Sequence, residues 1–311
     1  MISARFHDYD AYADAIKRVD ALFLLYQLDQ RNWQIDDLSL PGGVKLQHCW
    51  SGSGAIARGA SVADGIELAI PAEGHFVANG EAVPLGDALF MAPGSEFLVS
   101  IPGVHRWFNL FIPESQAGAL EWLGSAEDRR LTRTCALRNR QPGGHAVAPL
   151  LMRFVSNLLS TPEFATSEAS LRSFQAELLE VLGAAYGREP DPERRCRGRT
   201  PIVDKASILA AFDRIEASAR PLATLSDLVH TTGVCERSLR AGFHKYLGLT
   251  PTRYMQLRAL NRAWQKLSAA GPGETTVARV AADLGIWDLG RFAMRYRRVF
   301  GEAPSETLRR T

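Results

Sequence analysis

A segment that occurs twice in the last third of the chain constrains the fold more than any other feature. The first copy runs from Leu225 to Pro251, LSDLVHTTGVCERSLRAGFHKYLGLTP, and the second from Val277 to Pro304, VARVAADLGIWDLGRFAMRYRRVFGEAP. Before the internal turn the copies are offset by 52 residues (Leu225/Val277, Leu228/Val280, Gly233/Gly285). After it the offset is 53 (Leu239/Phe292, Phe243/Tyr296, Gly248/Gly301, Pro251/Pro304), so the second copy carries one extra residue. In the first copy Leu225, Leu228 and Val229 form an apolar face at helical spacing, Gly233 stands where the chain must reverse, and Leu239, Phe243 and Leu247 form a second face. Val277, Val280 and Ala281, then Gly285, then Phe292, Tyr296 and Phe300 repeat the arrangement. A short helix, a glycine-bounded turn and a second helix make a helix-turn-helix, and duplication makes a common pattern specific. Two such units predict two helices able to enter DNA grooves.

The charge distribution points the same way. The 311 residues carry a net charge of +2, but residues 201–311 hold 17 Lys+Arg against 10 Asp+Glu, while the other 200 hold 19 against 24. A basic block suits a polyanionic partner, and an acidic remainder limits nonspecific adsorption. The four cysteines, Cys49, Cys135, Cys196 and Cys235, show no Cys-x-x-Cys spacing. They predict neither a zinc site nor a disulfide framework, and scattered thiols suit a reducing cytoplasm. The first residues, MISARFHDYD, lack a basic run followed by an apolar one, and no apolar stretch is long enough to span a bilayer. No signal peptide, membrane association, cofactor or metal is expected.

Three regions follow from composition. Within Gly187–Pro201, GREPDPERRCRGRTP, residues 191–201 read as a linker, leaving a first domain over 1–190 and a second over 202–311. Residues 40–113 are short apolar or alternating runs broken by Gly and Pro, the texture of a β-sandwich or barrel. From Val147 to Tyr186 the period becomes helical, with Leu150, Leu151, Phe154, Val155, Leu158 and Leu159 in one stripe and Leu171, Phe174, Leu178, Leu182 and Tyr186 in another. These stripes read either as core packed on the β unit or as a dimer seam; a homodimer through them is the expectation. The fold class is α+β: a β-rich, cupin-like sensor domain with trailing helices, then an all-α domain with two helix-turn-helix units.

Residues 202–310, and most specifically Leu284–Arg310, LGIWDLGRFAMRYRRVFGEAPSETLRR, resemble the arabinose-regulator (AraC-type) family of bacterial transcription factors. The GIWDLGRF and PSETL segments look most like its ethanolamine-operon regulators, and LFMAPGSEF and SIPG carry a weaker likeness in the first half. The resemblance implies seven helices in the second domain, two of them recognition helices, and a first domain that senses an effector or dimerises. Three positions depart from the family pattern: Cys235, a poor N-cap where Ser is frequent; Ile286, where Phe is frequent; and Met294, where relatives carry a long polar side chain.

The resemblance places Arg237, Ser238, Arg240, Ala241 and His244 on the groove-facing side of the first recognition helix. Leu289, Gly290, Arg291 and Met294 take that place on the second. Arg237, Arg240 and Arg291 are the candidates for base edges or phosphates. Ala241 suits a thymine methyl, His244 a phosphate, and Leu289 and Gly290 a close approach; the bland alternative for each is a solvated helix face. Arg295, Arg297, Arg298, Arg309 and Arg310 read as nonspecific phosphate attraction. Trp264 reads as core, and Trp287 as packing on its helix, with contact to the DNA backbone as the alternative. In the first domain, His48, His75 and His105 form no metal-ligand pattern in sequence, and Trp50, Phe76, Trp107 and Phe108 are core residues by default. The expected function is a cytoplasmic, sequence-specific regulator, non-enzymatic, that binds double-stranded DNA, works with RNA polymerase as an activator and responds to a small-molecule effector. The rivals are a cupin-like metal enzyme with a DNA-binding tail, and a regulator whose first domain only dimerises.

Overall fold

The computed structural model describes residues 2–16, 19–116, 133–140, 147–187, 205–218 and 224–310. The chain forms two compact units, Met1–Phe23 with Gln30–Arg194 and Leu24–Asp29 with Arg195–Thr311. The linker read at 191–201 lies outside the described residues.

The first unit contains β1 (Ile2–Phe6), α1 (Tyr9–Ala15), β2 (Val19–Ser39), β3 (Lys45–Ser61), β4 (Gly65–Glu73), β5 (Phe76–Ala78), β6 (Glu81–Val83), β7 (Ala88–Met91), β8 (Glu96–Ile101), β9 (His105–Pro113) and β10 (Cys135–Leu137). Two helices, α2 (Val147–Ser160) and α3 (Glu168–Tyr186), follow. The central stretch of β2, Leu24–Asp29, clusters with the second unit. The strands form one sheet in the order β10-β7-β4-β9-β3-β8-β5-β6, with β2 pairing β3 and β1. Arg138, just past β10, donates from Nη1 to the carbonyl of Ala82 in β6 at 3.0 Å and to Asp87 at 2.5 Å. The two ends of the strand order thus meet, and the sheet is nearly a barrel, as the Gly- and Pro-broken runs suggested.

Alternation along β9 divides the interior. Phe108, Leu110 and Ile112 join Leu46, Leu68, Ile70 and Phe90 in a core shared with Leu151, Val155 and Leu158 of α2 and Phe174, Leu178 and Leu182 of α3. Trp107 lies against a second core, built from Ala69, Phe76, Leu89, Met91, Phe97 and Val99. The helical stripes are therefore inside one subunit. Leu178 and Leu182 are fully buried against the sheet, where each contributes about 1.5–3 kcal/mol. The buried positions of both stripes thus follow the core reading, whereas Leu159 of the α2 stripe is 51% exposed.

Two glycines let the long strands approach. A Cβ at Gly52 would stand 2.3 Å from the carbonyl oxygen of Gln30, and one at Gly59 2.0 Å from that of Asp20. The Gly-rich run SGSGAIARG in β3 is thus a surface over which the β2 backbone passes.

The second unit has seven described helices: α4 (Lys205–Ala217), α5 (Leu225–Thr232), α6 (Glu236–Leu247), α7 (Pro251–Ser268), α8 (Val277–Asp283), α9 (Leu289–Phe300) and α10 (Pro304–Arg310). Each half packs on aromatic side chains. Phe212, Phe243 and Tyr254 join α4, α6 and α7, while Trp264, Phe292, Tyr296 and Phe300 join α7 and α9. Buried Arg258 of α7 donates to Glu216 Oε2 at 2.8 Å and to the Glu216 carbonyl at 2.7 Å, so it both pairs a charge and caps α4. No described helix is long and apolar enough to cross a membrane.

Candidate nucleic-acid interface

Local chemistry sets the two helix-turn-helix units. Thr224 and Asp227 form a reciprocal capping box at the start of α5, and Gly233 ends it at φ 65°. Thr276 caps α8 by accepting from Arg279 N. The extra residue of the second copy falls in the turn. Two residues separate Gly233 from α6, whereas Ile286, Trp287 and Asp288 separate Gly285 from α9. The longer turn supplies a cap: Asp288 Oδ1 accepts from Arg291 N at 2.9 Å. Cys235, at the equivalent place before α6, makes no capping hydrogen bond. Its exposed Sγ lies 3.3 Å from Ser238 Oγ, an interaction that lowers the thiol pKa.

The apolar stripes of α6 and α9 point inward: Leu239, Phe243, Tyr246 and Leu247 are buried on α6, and Phe292, Tyr296, Val299 and Phe300 on α9. The outward faces carry the sequence-predicted residues. Arg237, Arg240, Ala241 and His244 are exposed and Ser238 is half-buried. Leu289, Gly290, Arg291 and Met294 are all exposed. A Cβ on Gly290 would meet only Asp288 Oδ1, at 3.6 Å, so packing does not require glycine there and the backbone is left bare. Trp287 does not pack as expected. It is 87% exposed, because the longer turn lifts it clear of the helix it precedes. Trp264 is buried between α7 and α9.

The charges on these faces are not equivalent. Arg240 is paired with Glu236 and Arg291 with Asp288, at 2.7 and 3.3 Å. Among the described residues Arg237 has no ion-pair partner, and neither do Arg295, Arg297 or Arg298 on α9. Arg297 and Arg298 sit in the last turn of α9, where cations oppose the helix dipole. A surface of this kind, two exposed helices with bare or loosely held guanidinium groups, can accept phosphates and base edges.

The first unit carries a cluster of buried polar side chains that sequence reasoning did not find. Register places Gln47 opposite Asn109, Cys49 opposite Trp107 and Ser51 opposite His105 on β3 and β9, with Ala69 and Pro71 of β4 completing two of these rows. Cross-strand partners point to one side, so these side chains share the face opposite α2 and α3. Trp33 Nε1 donates to Ser53 Oγ there, and Tyr9 of α1 packs on the Trp33 ring. Among the described residues Asn109 Oδ1 is buried without a hydrogen-bond partner, while the buried Tyr12 hydroxyl faces Trp107, which lowers its pKa against the larger rise from burial. Burial pushes the His105 pKa down to about 4, even though its Nδ1 lies 3.0 Å from the Gly103 carbonyl oxygen; burial also raises the Tyr12 hydroxyl and the Cys49 thiol. At neutral pH these three groups are therefore uncharged. The available signal was the alternation His105, Trp107, Asn109 against Phe108, Leu110, Ile112. Of the aromatics taken as core, Phe76 and Phe108 are buried, while Trp50 and Trp107 are only partly so.

His48 lies on the other face, where its Nδ1 is 2.9 Å from Asp36 Oδ2 and its ring stacks on Phe108. Burial of Asp36 works to raise its pKa, but hydrogen bonds from His48, Ser3 and Gln34 outweigh it and the carboxyl is held low. Among the described residues no group of three His, Cys, Asp or Glu side chains could hold a metal ion, and His48, His75 and His105 are not brought together.

Residues 228–310 match the family described as "Helix-turn-helix domain". The chain is 31% identical over 159 residues to a probable thc operon regulatory protein of Rhodococcus erythropolis (51% of this chain, 47% of that protein). It is 34% identical over 139 residues to a XylDLEGF operon transcriptional activator of Pseudomonas putida (43% and 38%). The chain thus spans less than half the length of these curated relatives. A solved probable AraC family transcriptional regulator from Rhodopseudomonas palustris is 33% identical, with 34% of this chain and 96% of that one covered and a TM-score of 0.32.

Proposed function

We propose that this chain, whose helical unit belongs to the AraC-type helix-turn-helix family, is a sequence-specific DNA-binding transcriptional regulator controlled by a small molecule. The observation that carries the reading is the pair of outward faces on α6 and α9. Each is preceded by a short capped helix and a left-handed glycine, and both are mounted on α7. An 18-residue α7 is about 27 Å long, comparable to the roughly 34 Å that separates successive major grooves on one face of DNA. In this reading α6 and α9 enter adjacent grooves. Arg237, Arg240 and Arg291 reach bases or phosphates, and Ser238, Ala241, His244, Leu289, Gly290 and Met294 form the surrounding contact surface.

The β-rich unit is the sensor and does no chemistry. In this reading a small ligand binds at the buried polar face that holds Asn109, and occupancy shifts an existing equilibrium between conformations. The protein acts in the cytoplasm as an activator in contact with RNA polymerase and as a homodimer, in which a second tethered copy raises effective concentration on DNA. The GIWDLGRF and PSETL segments support the ethanolamine-operon regulators as the nearest branch.

Selection of duplexes from a random library with the full chain, followed by footprinting, tests the reading. Two protected patches one helical turn apart are expected, and inserting half a turn of DNA between them abolishes binding. A single patch, or indifference to the insertion, contradicts it.

A further inference from the structure

The second unit has a half-open cavity of about 350 Å³ lined by Tyr26, Gln27, Arg253, Arg298 and Val299, all within that unit. Arg253 lies in the first turn of α7 and Arg298 in the last turn of α9. Among the described residues neither guanidinium has a carboxylate partner, although Arg240, Arg258, Arg291 and Arg310 in the same unit each have one. Arg253 is partly desolvated and is held below its usual pKa by that burial and by Arg298 and Arg295, with Tyr26 acting in the opposite sense. Two like charges directed at one space, without a counter-charge, form an incomplete electrostatic arrangement.

We propose that this cavity is an anion site that takes a small free dianion, a dicarboxylate or a phosphate, between Arg253 and Arg298. Guanidinium groups present paired N–H donors that match two oxygens of a carboxylate or phosphate. Two of them balance two negative charges, and Tyr26 adds a polar lining group, whereas Gln27 Nε2 is already given to Asp29 Oδ1 at 2.7 Å. At about 350 Å³ the space is at the lower end of small-molecule pockets, which suits a small anion. The occupied site joins the start of α7 to the end of α9 and withdraws Arg298 from the charge available to DNA. The anion therefore sets the position of the second recognition helix directly, and the site does not depend on whether the β-rich unit binds an effector.

The test is calorimetric titration of the full chain with succinate and with inorganic phosphate, at ionic strength held constant with sodium chloride. Saturable binding of at least one probe is expected. Arg253→Gln and Arg298→Gln should each weaken it tenfold or more, while Arg253→Lys and Arg298→Lys, which keep the charge, should retain part of it. Circular dichroism of each variant establishes that it is folded. Absence of saturable binding by both probes, or binding that survives both glutamine variants, overturns the proposal. It is equally overturned if the glutamine variants leave anion binding unchanged but reduce the slope of log K for DNA against log salt by about 0.9 each, because the arginines would then be contacts to the DNA backbone.

Discussion

Glu236 holds Arg240 by two nitrogens, with Nε at 2.8 Å and Nη2 at 2.7 Å from the same carboxylate oxygen, one turn apart on the outward face of α6. Both side chains are about half exposed, and such i,i+4 pairs contribute only about 0.3–0.5 kcal/mol. A guanidinium so held is pre-positioned but not locked. To form a bidentate contact with a base it must exchange one acceptor for another, while the nearby carboxylate repels the DNA backbone.

Glu236→Gln should therefore tighten binding to DNA of any sequence by about two- to fivefold at low salt, by removing a negative charge and freeing Arg240. Fluorescence anisotropy on a labelled duplex reads the effect, which should fade as salt is raised. Unchanged or weaker binding would mean that the carboxylate orients Arg240 for its contact.

Arg240→Ala should reduce the preference for a selected site over random DNA by about 1–3 kcal/mol, the typical value of a base contact. Arg309→Ala should weaken both about equally, since Arg309 is an exposed residue in the last turn of α10 that donates only to the Ser305 carbonyl. Competition binding with the two duplexes checks the pair of variants. Parallel losses in both variants would move Arg240 from the base-reading set to the phosphate set.

Leu178→Ala should cost about 2–5 kcal/mol, and Leu178→Asp should unfold the first unit rather than divide a dimer. The side chain is 1% exposed in the core between α3 and the sheet. Near-ultraviolet circular dichroism and sedimentation of the Asp variant separate the outcomes. A folded monomer would restore the seam reading.

His105 predicts an acid-sensitive sensor unit. Its folded pKa, about 4, lies below its ordinary value of 6.5, so between those values the unfolded chain binds a proton that the folded chain refuses. Stability from this group is fully present above pH 6.5 and is lost as pH falls toward 4, by about 3 kcal/mol over the window. Asp36, held below its ordinary 3.8, acts in the lower range instead. Urea unfolding at pH 7 and pH 4.5 should show a smaller difference for His105→Gln than for the parent; an equal difference would place the proton elsewhere.

What was readable in the sequence followed the reach of its signals. The helix-turn-helix units are local and duplicated, so Gly233 and Gly285 and the stripes beginning at Leu239 and Phe292 marked them directly. Trp287 was misplaced because an aromatic residue beside a helix usually packs, and only the geometry of the longer turn shows it projecting. The buried polar cluster could not be assembled from sequence: Tyr12, Cys49 and His105 come from α1, β3 and β9, and register alone aligns the strand residues. The same holds for the anion cavity, where Tyr26 and Arg298 are separated by most of the chain. The stripes of α2 and α3 were seen, but hydrophobic periodicity shows that a face is buried without saying against what.

The two helix-turn-helix copies differ in length at their turns, and α7 runs unbroken between them. A rod of this kind keeps a fixed phase as well as a fixed length. One residue added within α7 would swing everything beyond it by about 100° while advancing it only about 1.5 Å, so a groove-facing side chain would be turned away from its groove. The loop before α9 obeys no such rule, and the inserted residue there was absorbed with the gain of a cap from Asp288. Variation in this architecture therefore has separate channels: changes at the turns alter how each reader is presented, whereas the distance between readers can change only in whole helical turns of the rod that joins them.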